Sequence, residues 1–156
     1  MIEIAHALHP ADIEAARQLF QEYQQGLGVD LCFQDFATEL ATLPGAYAPP
    51  SGRLLLARDG IRVLGCVALR PLTDGACEMK RLYVQPGNRT SGVGRQLVER
   101  LIEEARAAGY TRMLLDTLLT MAGAQRLYEQ LGFRDVPPYR HNPIEGTRFL
   151  GLDLET

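Results

Sequence analysis

Apolar residues recur at three- and four-residue steps through Ile13, Ala16, Phe20, Tyr23 and Leu27, which predicts an amphipathic helix broken by Gly26 and Gly28. Pro10 suits the first turn of that helix, and Ile2 and Ile4, continued by Ala7 or Leu8, predict a short strand before it. Phe33, Phe36, Leu40 and Leu43 form a second, shorter helical stripe that Pro44-Gly45 ends. The period then shortens. Leu54 to Ala57 and Val63 to Leu69 are apolar runs around Arg58-Asp59-Gly60, the pattern of an antiparallel hairpin, and Asp74-Gly75 repeats the turn before a third run, Cys77 to Val84. These three strands predict a meander.

Helical spacing returns with Leu97, Val98, Leu101, Ile102 and Ala105 on one face of a segment running to about Arg106, with Gly109 as its C-cap. Met113 to Thr117 is the next strand. Because it follows a crossover helix, it is expected to pair parallel to the strand ending at Val84. A helix from about Met121 to Leu131, stopped by Gly132, and alternation at Leu150, Leu152 and Leu154 complete an α/β chain with a mixed, mostly antiparallel sheet. The Pro-rich loop from Gly45 to Gly52 is too short to separate domains, so residues 1–156 are read as one domain.

The chemistry concentrates at Arg89-Thr90-Ser91-Gly92-Val93-Gly94, which joins the strand ending at Val84 to the helix that follows. At a helix N-terminus the first N–H groups have no intrahelical acceptor and the peptide dipoles leave about half a positive charge. Phosphate is the usual guest. Gly92 and Gly94 let backbone approach it without an intervening Cβ, and Ser91 is expected to cap the helix through its hydroxyl. A nicotinamide site is disfavoured, since Leu97 stands where the third glycine of the dinucleotide fingerprint belongs and a meander precedes the turn instead of repeated βαβ units.

Composition narrows the partners. A net charge of −3 offers no general basic field for nucleic acid or an anionic membrane, and no apolar run approaches the ~20 residues of a membrane span. Cys32, Cys66 and Cys77 lack metal-ligand spacing, so neither a disulfide framework nor a metal site is expected. A cytoplasmic location follows as an expectation, and association into a homodimer is left open.

Leu82-Tyr83-Val84-Gln85-Pro86, then Arg89-x-x-Gly92-x-Gly94, then an amphipathic helix, a strand and Leu127-Tyr128-x-x-Leu131-Gly132-Phe133 resemble the GNAT superfamily of acyl-CoA-dependent N-acetyltransferases across nearly the whole chain. Two motifs about forty residues apart, in the right order, are more specific than either alone. Departures are that many members carry Gly where Thr90 stands and many have Asn near Thr117. The resemblance implies acetyl-CoA as acyl donor. It further implies that backbone N–H groups from Arg89 through Arg95 (Arg89, Thr90, Ser91, Gly92, Val93, Gly94, Arg95) wrap the pyrophosphate. Leu82, Tyr83 and Val84 would contact the pantetheine arm where the parallel strands splay, with Thr117 opposite.

Transfer to an amine needs a base, because an alkyl ammonium with a pKa near ~10.4 has no free lone pair at neutral pH. The resemblance offers Glu78, eleven residues before Arg89, with its pKa expected to rise by desolvation; an ion pair with Lys80, Arg81 or a neighbouring strand is the competing role, and Asp116 the competing base. It offers Tyr128 to protonate the departing thiolate, against a purely structural role on the helix face shared with Ala124 and Leu131. Tyr139 and Arg148 near the last strands, and Tyr23 on the first helix, are the expected acceptor contacts. His6, His9 and His141 lie in positions less suited to a base. The expected reaction is acetylation of a primary amine or peptide by direct attack in a ternary complex. Its rivals are an acyl-CoA sensor without turnover and a phosphate- or nucleotide-binding protein.

Overall fold

The computed structural model describes residues 1–28, 35–89 and 91–155. β1 (Ile2–His6) leads into α1 (Pro10–Leu27), which has Pro10 in its first turn and Gly28 in the left-handed conformation at its end. α2 (Phe36–Thr42) carries the second stripe; Phe33 of that stripe lies outside the described residues, as does Cys32. The meander is β2 (Arg53–Asp59), β3 (Arg62–Pro71) and β4 (Ala76–Val84). α3 (Val93–Ala107), β5 (Arg112–Thr117), α4 (Ala122–Gln130), β6 (Arg134–Asp135) and β7 (Arg148–Asp153) follow. α3 is capped by Ala108, and Gly109 stands one residue further on with a φ of 91°.

One seven-stranded sheet runs in the order β1-β2-β3-β4-β5-β7-β6, antiparallel except between β4 and β5. Tight turns join β2 to β3 and β3 to β4 as antiparallel neighbours, and the α3 crossover makes the parallel pair. On one face, α3 and α4 pack Val93, Leu97, Val98, Leu101 and Tyr128 against Leu55, Val67, Leu69, Cys77, Met79 and Met113. Fully burying each aliphatic side chain of α3 contributes roughly 1.5–3 kcal/mol. On the other face, α1 and α2 pack Ala16, Leu19, Phe20 and Phe36 against Leu54, Leu56, Cys66 and Ala68.

Two departures from regular pairing shape the centre of the sheet. β4 and β5 are paired only at Ala76↔Arg112, Cys77↔Met113 and Glu78↔Leu114, beyond which they part. β4 also carries a bulge: Cys66 faces Tyr83 and Ala68 faces Lys80, so Val67 alone opposes Arg81 and Leu82, and Arg81 adopts a φ of 62°. A bulge inserts one residue and bends the strand, which here happens beside the gap between β4 and β5.

Candidate active site

A groove of about 620 Å³ opens where β4 and β5 diverge, walled by Leu82, Tyr83 and Val84 on one side and by the start of α4 on the other, with Gly94 of α3 at its edge. The turn before α3 is organised by Ser91, whose hydroxyl donates to the Asn88 carbonyl at 2.7 Å. Ser91 is therefore not the helix cap that was expected. Gly92 is, with a φ of 82° and, among the described residues, no side-chain oxygen bonded to the helix end, so the first-turn N–H groups of Val93, Gly94 and Arg95 have no intrahelical acceptor. A Cβ built on Gly94 would sit 3.8 Å from both Val84 and Leu127, at the lip of the groove. These features fit the pyrophosphate and pantetheine arm of coenzyme A: an uncapped helix terminus for the anion, then a channel between strands whose backbone groups are not paired with each other.

The other expected donor contacts sort plainly. Arg89 lines the groove, donating from Nε to the Val84 carbonyl at 2.8 Å and lying 5.6 Å from the Tyr83 ring centre. Arg95 turns instead to Gln130 Oε1 at 2.6 Å, tying α3 to α4. The Val93 side chain is fully buried, and Thr117 is buried with its hydroxyl 3.9 Å from the Met121 sulfur, so neither side chain faces the groove. Thr90 lies outside the described residues.

A second, smaller cavity of about 30 Å³ lies deeper between the strands, lined by Lys80, Arg81, Leu115, Asp116 and Tyr128 and sharing Tyr23, Leu82 and Met121 with the large groove. Charged groups collect around it on the α1–α2 face. Arg81 is bound by Glu39 of α2 through two hydrogen bonds, Nε to Oε2 at 2.8 Å and a terminal nitrogen to Oε1 at 2.9 Å, and lies 5.7 Å from the Tyr23 ring centre. Asp116 accepts from Asn142 Nδ2 at 3.1 Å. Burial pushes the Tyr23 and Tyr128 phenols up, so both keep their protons at neutral pH. Tyr128 is 4% exposed, its ring 5.6 Å from that of Phe133, which places it in the core and on the cavity wall together.

Glu78 departs from expectation. It is 0% exposed, accepting from the Tyr139 hydroxyl at 2.6 Å, from Arg70 Nε at 2.9 Å and from Arg140. Desolvation does push its pKa upward, but Lys80, Tyr139, Arg140 and Arg70 together outweigh it and hold the carboxyl below the ordinary glutamate value. The expected rise is thus reversed, because cationic and hydroxyl donors from two neighbouring segments meet on one carboxylate. Tyr139 reaches the site through that bond. Arg148 does not: it binds Asp135 at 3.0 Å and 3.1 Å and Gln125 at 3.1 Å, joining β7 to β6 and α4. His6 pairs with Glu104 at 3.2 Å, and His9 stands at the N-cap of α1.

Sequence reasoning passed over Lys80 and Arg81 except as ion-pair partners for Glu78. Lys80 shares the strand parity of Glu78, a signal that was present; Arg81 reads as facing the opposite side, and only the bulge brings it round.

The Acetyltransferase (GNAT) family matches residues 13–133. An uncharacterized N-acetyltransferase of Schizosaccharomyces pombe is 43% identical over 155 residues, spanning 98% of this chain and 95% of its own. The IAA acetyltransferase of Azospirillum brasilense is 40% identical over 129 residues, 81% of either chain. The crystal structure of a GNAT-family acetyltransferase from Staphylococcus aureus Mu50 shares the fold with a TM-score of 0.82 at 20% identity, covering 99% of this chain and 100% of that one. A Salmonella typhimurium protein solved with its cofactor acetyl-CoA shares it with a TM-score of 0.69 at 24% identity, covering 99% and 94%. With the helix terminus, the parted strands and these likenesses in agreement, the chain belongs to the GNAT family of acetyltransferases, which take the acyl group from acetyl-CoA.

Proposed function

We propose that this acetyltransferase acetylates a primary amine, free or on a peptide, by direct attack with donor and acceptor bound together. The observation that carries the reading is the meeting of the two cavities at Tyr23, Leu82 and Met121: a long groove suited to the donor ends beside a small polar chamber suited to a nucleophile. Acetyl-CoA supplies an activated thioester. The first-turn N–H groups of α3 bind its pyrophosphate, Leu82 and Val84 present backbone groups to its arm, and the Tyr128 hydroxyl, kept protonated by burial, gives a proton to the departing sulfur. Tyr139 and Arg140 are held by Glu78 on the strand that carries Lys80, beside the acceptor chamber without lining it.

Among the described residues, cysteine chemistry favours direct attack over an acyl-enzyme. Cys66 and Cys77 are fully buried and line neither cavity, and burial pushes both thiols up, Cys77 to about 12, so neither offers a thiolate. The test is an acceptor screen across small amines, amino acids and peptides with detection of released thiol, followed by initial rates with both substrates varied. Intersecting double-reciprocal lines are expected. Parallel lines would indicate an acyl-enzyme, and acetyl-CoA binding without thiol release from any amine would favour a sensor.

A further inference from the structure

Resting on that reading, we propose that Lys80 is the proton acceptor for the incoming amine, and that it does the work for which Glu78 was the candidate. Lys80 is the last residue of β4 before the bulge and is 5% exposed. It lies two residues beyond the last β4–β5 pair, Glu78↔Leu114, and it walls the small chamber together with Leu82, Asp116 and Tyr128. An amine there faces the chamber that joins the donor groove at Tyr23, Leu82 and Met121. Glu78 lies deeper on the same face with no surface of its own exposed, and its two oxygens already receive Tyr139, Arg70 and Arg140. Asp116 is partly engaged by Asn142, and none of the three histidines lines either cavity.

The surroundings favour a neutral amine poised to take a proton. Burial dominates and Arg81 adds repulsion, while Glu78 and Asp116 pull the other way and Arg140 opposes them; the result lowers Lys80 to about 7. Tyr23 from α1 and Tyr128 from α4 face the same chamber as protonated phenols. A base whose pKa lies near working pH combines a large deprotonated fraction with useful basicity. In the step, an N–H bond of the acceptor ammonium breaks and its proton moves to the Lys80 Nζ lone pair. The electrons left on the acceptor nitrogen form the C–N bond as the C–S bond breaks with its pair on sulfur. The second proton lost from that nitrogen returns to solvent, the sulfur takes the one held by Tyr128, and the proton on Lys80 passes across the shared chamber to the Tyr128 oxygen, which restores both groups.

The experiment uses the intact protein with the best acceptor from the screen. Lys80→Met keeps the stem and removes the base, so kcat/KM at pH 7.5 is expected to fall about 10²–10⁴-fold. The acidic limb near pH 7 should vanish, with the acetyl-CoA-induced rise in Tm retained. Lys80→Arg, a fixed cation, should behave alike. Glu78→Gln should keep a limb, displaced to lower pH because Lys80 loses an anionic neighbour. A wild-type measurement guards against misfolded variants: an amine limb moves to lower pH on warming, whereas a carboxylate limb barely moves. A Lys80→Met enzyme with full activity and an unaltered limb, a wild-type limb insensitive to temperature, or acetyl-Lys80 found by mass spectrometry after incubation with acetyl-CoA would each overturn the proposal. Absence of thiol release from the wild type with every amine would instead overturn the amine-acetylation reading beneath it.

Discussion

The Tyr139 hydroxyl donates to Glu78 Oε2 across 2.6 Å, fastening the segment that precedes β7 to the one carboxylate of β4 that solvent does not reach. Tyr139→Phe removes that donor without changing the ring, which packs edge-on against Phe149 with centroids 5.4 Å apart. Withdrawing one partner from a buried charged acceptor costs about 1–3 kcal/mol. Urea denaturation at pH 7 should show this loss, and the acceptor KM should rise more than kcat falls.

The same carboxylate sets a pH dependence. Its folded pKa lies below the ordinary value of 4.5, so its stabilising contribution is complete above that value and is lost as pH falls through the folded pKa. Stability measured by urea midpoint should therefore drop below about pH 4.5 in the wild type. The cost of Tyr139→Phe should shrink over the same range, since a protonated Glu78 gains less from the phenol. A cost independent of pH would mean that the phenol acts through packing alone.

Gly92 and Gly94 should separate strain from occupancy. Gly92→Val places a branched residue at a φ of 82°, so it should lower Tm even without ligand. At Gly94 a Cβ makes ordinary contacts, so Gly94→Val should fold nearly normally and fill the groove lip. Acetyl-CoA at a hundredfold excess over Kd stabilises by about 2.7 kcal/mol, a Tm shift that Gly94→Val is expected to abolish in differential scanning fluorimetry.

Tyr128→Phe tests the thiolate-protonating role within an unchanged core. A tenfold or greater fall in kcat, about 1.4 kcal/mol of barrier, is expected with acetyl-CoA affinity little altered. Unchanged turnover, with chemistry shown to be rate-limiting, would return the residue to packing.

The Arg81–Glu39 pair joins the bulge to α2, and the Arg81 side chain is only 2% exposed. Glu39→Gln leaves that guanidinium without its anion. Breaking a buried pair from one side costs about 3–5 kcal/mol, which chemical denaturation can measure; Glu39→Gln paired with Arg81→Met should recover part of it.

Much of this architecture is legible in residue order because it rests on local rules. The stripe through Leu97, Leu101 and Ala105, the turns at Gly60 and Asp74-Gly75, and the parallel pairing forced by a crossover helix follow from period, turn chemistry and chain reach. What was not legible depends on partners distant in sequence. β6 is two residues long with no alternation to betray it. The Ser91 hydroxyl donates to the Asn88 carbonyl instead of accepting from the N–H groups at the helix start, a choice between two nearby backbone partners that composition does not decide. The lowered pKa of Glu78 owes most to Lys80, two residues along and visible in the sequence, but it also needs Tyr139, Arg140 and Arg70 to converge from elsewhere in the chain, which residue order does not display.

The single inserted residue in β4 changes the parity of the strand. Before it, even-numbered positions such as Glu78 and Lys80 lie on the α1–α2 face; after it, Tyr83 does, while Leu82 and Val84 join the opposite core. One strand therefore behaves as two half-strands in opposite phase, one lining the small cavity with Lys80 and the other walling the large groove with Tyr83 and Val84. On the proposed reading, substitutions at Lys80 should alter acceptor preference and those at Tyr83 or Val84 donor grip, while Leu82 touches both. Deleting one residue at the bulge would restore the phase and exchange the faces of everything downstream, a change far larger than any side-chain replacement there.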